Sequence, residues 1–495
     1  MKEVQFNSIE FLVFFPIVVL LYFALPKKVK QYWLLAASYY FYMCWNVAYI
    51  LLLLYSTIVT FVSGLALERT KRAKWKEEKR TCIKRGIVAV SVLLNLLVLF
   101  YYKYFNFALE SLDAFALHIN IHMDIPKCII LLPVGISFYI FQALSYTIDV
   151  YRDEMYAEKN VLRYALFVSF FPQLVAGPIE SSKNLLRQLA EPKEFDYDNV
   201  RTGLLTMLWG FFIKLVIADR SAILVNTVYN KYLDYSGFQL VAANVLFAVQ
   251  IYCDFMGYST IAKGASRVIG YDLISNFECP YFSQSIKEFW RRWHISLSLW
   301  LKNYLYIPLG GSRCSTLKKH FNLMVTFLVS GLWHGANETF VLWGGVHGIY
   351  LIIEDVFLPV SKWLDQRFDT QRFSWKFLRA VRTFIFVDIT WVFFRAETVE
   401  AAIYIIGKSF DIKNIGLILN KGLFQLGLDE RNMTILLMGL SVLIIVSFMK
   451  EYGMNVFVWL SDQNLVFRYL VYWSALVLII FSVDIAGQEF IYFQF

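Results

Sequence analysis

The sequence predicts an all-α polytopic membrane protein, built as a single integral-membrane domain over residues 1–495. Charged residues make up only 17% of the chain and hydrophobic residues 58%, whereas soluble domains carry roughly one quarter charged residues. Several apolar runs approach the about 20 residues with which a helix crosses a bilayer. The basic residues behind the net charge of +9 cluster between those runs. They therefore indicate membrane topology and argue against nucleic acid as a partner.

The first group of predicted helices occupies residues 1–102. Its apolar runs lie near 8–25, 31–45, 47–67 and 86–102. The segment 68–85 lies between the last two runs and has nine Lys/Arg against three Glu. Because short loops rich in Lys and Arg stay in the cytoplasm, this segment is predicted to be cytoplasmic, and the first helix is predicted to start outside.

The middle group occupies residues 103–357. Its predicted spans lie near 133–152, 203–228, 240–256, 321–338 and 340–357. The last two of these spans are separated by so few residues that they predict a tight hairpin. The apolar stretch 167–180 is short and is broken by Pro172, Gly177 and Pro178. A full crossing there would contradict the charge pattern, so the stretch is predicted to be re-entrant and buried among other helices.

The third group occupies residues 358–495 and completes the predicted bundle. Its spans lie near 381–395, 432–449 and 467–485, which brings the total to about 11–12 transmembrane helices. The six cysteines include no pair with CxxC spacing, and most lie in or beside apolar runs. We therefore expect no metal site and no disulfide framework.

The stretch 321–350 is apolar enough for a bilayer, yet it contains His334 in the motif SGLWHG. Ionisable groups at membrane depth are costly and usually face a cavity or the bundle interior. A histidine in apolar surroundings stays neutral near pH 7 and can take the proton of a hydroxyl during acyl transfer. His294, forty residues upstream, could orient or assist it. The alternative interpretation of His334 is a packing residue that hydrogen-bonds one helix to another.

The segment 281–311 has the pattern of an amphipathic helix. Four large apolar side chains recur at three- and four-residue spacing and would share one helix face: Trp290, Trp293, Leu297 and Trp300. Cationic and histidine side chains are interleaved with them: Arg291, Arg292, His294 and Lys302. One interpretation is an interfacial helix with a tryptophan belt. The other is a segment that dips toward the bundle. There Arg291 and Arg292, flanked by Trp290 and Trp293, would bind an anionic donor such as the phosphates of a coenzyme.

Five stretches of the chain together resemble a known family. They are PVGISFYIFQALSYTIDVYR (133–152), FPQLVAGPIE (171–180), QIYCDFMGYSTIAKGASRVIGYDL (250–273), SIKEFWRRWHISLSLWLKNYLYIPLGG (285–311) and GLWHGANETFVLWGGVHG (331–348). They resemble the membrane-bound O-acyltransferases, in the bacterial branch that contains the membrane subunit of alginate O-acetylation and the D-alanine transfer protein for teichoic acid. The resemblance implies a ring of tilted helices around a central funnel, with residues 103–357 as the catalytic core. By the same resemblance, His334 matches the family's essential histidine and His294 the second histidine of that site.

The resemblance also implies a function, as a multi-pass enzyme of the bacterial cell membrane. It would take acetyl from acetyl-coenzyme A, a donor substrate and not a permanently bound cofactor, on the cytoplasmic side. It would pass the group toward an extracytoplasmic polysaccharide with the help of an exported, esterase-like partner. Three alternatives remain open: D-alanyl transfer from an acylated carrier protein to teichoic acid, a transporter with a histidine proton relay, and a non-catalytic scaffold.

The aromatic sequence EFIYFQF (489–495) contains a hydroxyl at Tyr492. We expect Tyr492 to be a docking element for the exported partner or a transient acyl acceptor that carries the group outward. The alternative is an apolar segment that packs against the bundle or the membrane interface.

Overall fold

The computed structural model describes residues 5–121, 130–175, 177–235, 237–411, 422–482 and 490–491. All regular secondary structure in these residues is helical. The α-helices are α1 (Ile9–Ala24), α2 (Lys27–Met43), α3 (Tyr49–Arg72), α4 (Glu77–Leu99), α5 (Phe105–His118), α6 (Ile136–Tyr151), α7 (Val161–Ser169), α8 (Phe171–Leu174), α9 (Tyr197–Phe211), α10 (Asp219–Tyr229), α11 (Phe238–Ile269), α12 (Ile286–Arg292), α13 (Ile295–Leu301), α14 (Thr316–His334), α15 (Glu338–Val356), α16 (Leu358–Arg367), α17 (Phe373–Arg395), α18 (Val399–Ser409), α19 (Glu430–Glu451), α20 (Val456–Ser461) and α21 (Leu465–Ile480). The described residues also contain four π-helical segments: Phe100–Tyr104, Ser182–Leu186, Phe212–Ala218 and Lys302–Tyr306.

Six helices of the described chain are long and apolar enough to cross a membrane. They are Tyr49–Arg72, Glu77–His118, Tyr197–Tyr229, Phe238–Ile269, Glu338–Val356 and Glu430–Glu451. Two shorter apolar helices, Ile9–Ala24 and Leu465–Ile480, accompany them. The prediction of an all-α polytopic membrane protein is therefore confirmed. The number of about 11–12 crossings and the ring around a central funnel stay predictions.

The chain forms two compact units, residues 1–204 with 262–274 and residues 205–261 with 275–495. The prediction that all 495 residues act as one domain, with the three groups proposed above, stays a prediction. In the first unit, α3 packs against α4, α6 and α7. Polar side chains join these helices: the hydroxyl of Tyr164 lies 2.7 Å from Thr60 Oγ1, and Ser56 donates to Asn95 Oδ1 over 2.6 Å. Such bonds between helices are typical of membrane interiors.

The predicted re-entrant stretch 167–180 is helical only in part, and its first residues are buried. α7 ends at Ser169, and α8 has only four residues. The break leaves main-chain groups without helical partners, and side chains supply them. Ser38 Oγ accepts from the Phe171 N–H over 3.1 Å, and Gln142 donates to the Phe167 carbonyl over 2.6 Å. Broken backbone is tolerated at membrane depth only where protein encloses it, so this burial agrees with the prediction.

The second unit contains the predicted tight hairpin, formed by α14 and α15. Its helices touch through backbone, because two glycines face main-chain atoms. A Cβ on Gly331 would lie 2.2 Å from the Phe340 carbonyl oxygen, and one on Gly344 would lie 2.2 Å from the Phe327 carbonyl oxygen. Small residues that allow such close approach are the usual means of packing helices in membranes. The hairpin in turn packs against α17.

Candidate active site

The segment 281–311 is not one helix, so the prediction of a single tryptophan-lined face is wrong. α12 ends at Arg292 and α13 begins at Ile295, and His294 between them has left-handed backbone with φ of +42°. Left-handed backbone costs a non-glycine residue of order 1–3 kcal/mol, and such strain persists only where the surroundings enforce it. The break therefore needs support from elsewhere in the chain.

Segment 276–278 gives that support. The Glu278 N–H donates to the Arg292 carbonyl over 3.0 Å, and the Ile295 N–H donates to the Asn276 carbonyl over 2.9 Å. The Asn276 side chain in turn donates to Ser259 Oγ over 3.0 Å. These bonds replace the helical bonds lost at the break, and they turn the His294 side chain inward. Sequence reasoning missed Asn276, because no local pattern marks a residue that acts on another eighteen positions away.

His294 lies in a closed aromatic pocket. Its side chain is fully buried, and its ring centroid lies 4.7 Å from that of Phe255 and 5.7 Å from that of Trp333. The residue lies outside the six candidate spans. Burial lowers its pKa to about 3, because the charged form loses its hydration. The imidazole is therefore neutral near pH 7.

His334 is the last residue of α14 and is almost fully buried. Its ring centroid lies 5.0 Å from those of Trp333 and Trp343 and 5.3 Å from that of Phe394. The next residue, Gly335, allows the turn into α15, because a Cβ there would lie 2.1 Å from the Phe340 ring. The GLWHG motif thus ends a helix at the histidine and keeps the following helix close.

The structure brings the two predicted histidines together. The ring centroids of His294 and His334 lie 6.3 Å apart, with an interplanar angle of 62°. The rings reach this arrangement from two elements, the break between α12 and α13 and the end of α14. Aromatic walls exclude water from both rings, so a proton acceptor here acts in surroundings that protect an acyl group from hydrolysis.

A third histidine, His347 on α15, is also fully buried. The Trp290 indole N–H donates to His347 Nδ1 over 3.3 Å, and His347 Nε2 lies 2.9 Å from the Thr390 hydroxyl. Because that hydroxyl donates to the Val387 carbonyl over 2.6 Å, it accepts from the imidazole. His347 is therefore neutral with its proton on Nε2, and both nitrogens are engaged.

A cavity of about 340 Å³ opens between α12, α13 and α14. Three of its lining residues are cationic: Lys287, Arg291 and Lys302. The rest of the lining is largely apolar and includes Trp290 and Ser330. Ser330 precedes His334 by one turn on the same face of α14, and neither His294 nor His334 is among the residues that line the cavity. The guanidinium of Arg291, which is exposed, is available to an anionic group there.

The other two residues predicted to bind the donor lie elsewhere. Arg292 makes two hydrogen bonds to the Glu451 carboxylate, over 2.5 and 3.0 Å, and pairs with Glu288 over 2.6 Å. It lines a second, polar cavity of about 500 Å³. Trp293 is buried against Trp391, with ring centroids 4.9 Å apart, and against Phe277. The roles assigned to both residues stay predictions.

Tyr492 lies outside the described residues, but the two residues before it are described. Phe490 and Ile491 are buried in the second unit. The Phe490 ring packs 4.3 Å from that of Tyr258 and 6.0 Å from that of Phe255. Phe255 is also the nearest aromatic neighbour of His294 among the described contacts. Residues 490–491, called the terminal segment below, thus reach the wall of the histidine pocket.

The chain is similar to a known protein family and to several known proteins. A model of the membrane-bound O-acyltransferase family matches residues 20–394. The probable alginate O-acetylase AlgI of Pseudomonas putida is 38% identical over 82% of this chain and 80% of its own length. The peptidoglycan O-acetyltransferase of Helicobacter pylori is 33% identical over 82% of this chain and 79% of its own length. The teichoic acid D-alanyltransferase of Bacillus subtilis is 27% identical over 46% of this chain and 63% of its own length.

Proposed function

Because the chain belongs to the membrane-bound O-acyltransferase family and is thus an integral-membrane O-acyltransferase, we propose that it moves acetyl from a cytoplasmic thioester donor toward an extracytoplasmic cell-surface polysaccharide. Two similar proteins, which cover most of this chain, have names that specify O-acetyl transfer, one to alginate and one to peptidoglycan. The match to the D-alanyltransferase covers less than half of the chain. Acetyl is therefore favoured over D-alanyl as the group transferred.

The observation that carries the proposal is the pairing of His294 with His334 in a site closed to water. In the proposed reaction, His334 takes the proton of an acceptor hydroxyl while the hydroxyl oxygen bonds to the thioester carbonyl carbon. The carbon–sulfur bond then breaks, and the sulfur leaves as a thiol after it receives that proton. His294 stays neutral and supports the site at a centroid distance of 6.3 Å.

The cavity between α12 and α14 supports a phosphate-bearing thioester donor such as acetyl-coenzyme A. Its cations suit phosphate oxygens, because charge-assisted hydrogen bonds to phosphate are the strong ones. Its apolar lining suits an uncharged arm that extends toward the histidines. Arg291 is the residue we assign to the phosphates. Arg292 is a weaker candidate, since two carboxylates already neutralise it.

The route from donor to polysaccharide includes two further proposals. Tyr492 is proposed as the first hydroxyl acylated, which would carry the group away from the donor. An exported, esterase-like partner is proposed to pass it to the polymer. The burial of Phe490 and Ile491 beside the histidine pocket supports the first of these.

The experiment is thioester turnover with radiolabelled acetyl-coenzyme A on the full chain in nanodiscs. We expect turnover in the wild type and a loss of about 100-fold or more in His334→Ala, since general bases contribute factors of this size. His118→Ala is the matched control, because His118 is exposed. Equal turnover in all three proteins would contradict the proposal and return a transporter to consideration. Turnover only with a D-alanyl carrier protein would change the donor and keep the site.

The same reaction tests the acyl relay. Label recovered on the protein is expected at Tyr492, as mapped by mass spectrometry, and Tyr492→Phe should abolish that label. If Tyr492→Phe transfers acetyl to the partner as well as the wild type does, the relay is wrong while the role of His334 stands.

A further inference from the structure

A buried ion cluster lies in the second unit, outside the site described so far. Lys214 Nζ lies 2.8 Å from Asp219 Oδ1 and 2.6 Å from Asp254 Oδ1. All three side chains are at most 4% exposed. One ammonium faces two carboxylates here, and the buried guanidinium of Arg220, the residue after Asp219, is a second cation close to the cluster. Buried charge is stable only where further donors satisfy it.

One such donor comes from the terminal segment. The main-chain N–H of Ile491 donates to Asp254 Oδ2 over 2.7 Å. Asp254 therefore uses one oxygen for Lys214 and the other for the terminal segment. Hydrogen bonds to an ionised acceptor are roughly twice as strong as neutral ones. Because the contact is to the main chain, it does not depend on which side chain position 491 carries.

Aromatic side chains pack beside this hydrogen bond. The Phe490 ring lies 4.3 Å from that of Tyr258, and the Lys214 ammonium lies 5.7 Å from the Tyr258 ring centroid. On α11, the residue after Asp254 is Phe255, whose ring lies 4.7 Å from that of His294. A single stretch of α11 thus holds the terminal segment on one side and borders the histidine pocket on the other.

We propose that Asp254 is a positioning residue that docks the terminal segment through the Ile491 N–H, and that Lys214 holds the Asp254 carboxylate in place for this. The role rests on the proposed function in one respect, which is that Tyr492, the residue after Ile491 in the sequence, is the proposed acyl acceptor. Tyr492 follows Ile491 directly in the sequence, so loss of docking is expected to lower acylation of Tyr492.

The first test removes only the donor. Ile491→Pro deletes the N–H while it keeps an apolar side chain, and Ile491→Leu is the matched variant that keeps the N–H. With radiolabelled acetyl-coenzyme A, we expect label on Tyr492 to fall about 30-fold or more in Ile491→Pro, from the loss of a hydrogen bond to a charged group. The loss in Ile491→Leu should be at least tenfold smaller. Equal losses in the two variants would overturn the proposal.

The second test reads docking directly, without activity. Hydrogen–deuterium exchange of the Ile491 amide, measured by mass spectrometry with fragmentation on the full chain in nanodiscs, should be slow in the wild type. In Asp254→Ala it should be faster by about 30-fold or more, while amides of α14 and α15 keep their rates. Unchanged exchange at Ile491 would overturn the proposal. A uniform rise of the exchange rates in all helices would also overturn the proposal, because Asp254 would then stabilise the whole fold and have no specific effect on Ile491.

These readouts separate the two proposals. If the wild type does not cleave acetyl-coenzyme A, the proposed donor is wrong, and the exchange measurement still decides docking. If acetyl transfer is normal in Tyr492→Phe but exchange at Ile491 responds to Asp254→Ala, the segment is docked and the relay is wrong. If Asp254→Asn, which keeps an acceptor oxygen, restores part of the slow exchange that Asp254→Ala loses, the direct hydrogen bond is supported. No restoration counts against it.

Discussion

The indole of Trp290 donates to Nδ1 of His347 over 3.3 Å, and this bond assigns the third buried histidine to structure. Both imidazole nitrogens are engaged, since Nε2 lies 2.9 Å from the Thr390 hydroxyl. The rings of His294 and His334 lie next to each other, with centroids 6.3 Å apart. Among the buried histidines of the described residues, His347 is thus the one whose hydrogen bonds join α12, α15 and α17, while His294 and His334 form the candidate reaction pair.

Trp290→Phe tests that assignment. The change leaves Nδ1 of His347 buried without its donor, which costs about 1–3 kcal/mol. We expect a lower melting temperature in detergent. The matched control is Trp75→Phe, at a tryptophan that is 42% exposed, which should leave the melting temperature near that of the wild type. An unchanged melting temperature in Trp290→Phe would show that the bond does not contribute to stability.

Gly331→Ala tests the backbone contact within the α14–α15 hairpin. The new methyl would lie 2.2 Å from the Phe340 carbonyl oxygen, so the two helices must move apart. Overpacking of this kind costs about 1–3 kcal/mol or more, and it also displaces His334. Gly345→Ala is the matched control, because a Cβ there meets its nearest neighbour at 3.6 Å. We expect thermal unfolding and thioester turnover to suffer in the first variant only; equal behaviour of the two variants would contradict the contact.

His294→Asn separates backbone strain from chemistry. Asparagine tolerates left-handed backbone better than most residues, so the break between α12 and α13 should persist and the melting temperature should change little. Loss of the imidazole should lower acetyl transfer by about 100-fold. If transfer remains near the wild-type rate in a folded variant, His294 does not support the reaction.

The two adjacent arginines are expected to behave differently. Arg291→Gln removes a cation from the cavity between α12 and α14 and should raise KM for acetyl-coenzyme A about tenfold, with little effect on kcat. Arg292→Gln breaks the pair with Glu451 and should cost about 1 kcal/mol of stability or less, with KM nearly constant. A larger rise of KM in Arg292→Gln than in Arg291→Gln would contradict this expectation and support the sequence-based prediction that Arg292 binds the donor.

Glu180 gives a prediction about pH. It is fully buried in the first unit, and burial raises its pKa from 4.5 to about 7, although the Ile274 N–H and the Asn184 side chain donate to it and oppose the rise. Between pH 4.5 and 7 the folded protein keeps a proton that the unfolded chain releases. The contribution of Glu180 to the free energy of unfolding is therefore fully present below pH 4.5. It falls by up to about 3 kcal/mol as the pH rises through 7.

Glu180→Gln isolates that contribution, since it cannot ionise. We expect melting temperatures measured at pH 5 and pH 7.5 to differ less in the variant than in the wild type. Asp196→Asn, which changes a carboxylate at the exposed surface, should keep the wild-type difference. A variant with the full wild-type difference would mean that Glu180 has an ordinary pKa.

Local patterns were sufficient for the class of the protein. Hydropathy and the placement of basic residues identify a polytopic membrane protein, because a helix in lipid must be apolar along its length wherever it crosses. The resemblance of the GLWHG and FWRRWH motifs to a known family pointed to His334 and His294, and the glycines of the hairpin are themselves the reason that α14 and α15 pack closely. These features depend on residues near one another in the chain.

Other features were decided only by the tertiary structure, because they depend on partners far away in the sequence. The spacing of the residues from Trp290 to Trp300 predicts one helix. Main-chain hydrogen bonds with Asn276 and Glu278 nevertheless support an interruption of that helix at His294. Arg292 pairs with Glu451, which is more than 150 residues away in the sequence. Asp254 meets Ile491 across 237 positions. A buried charge or a strained backbone is stabilised by the groups that the fold places next to it. The periodicity of the sequence does not show which groups these are.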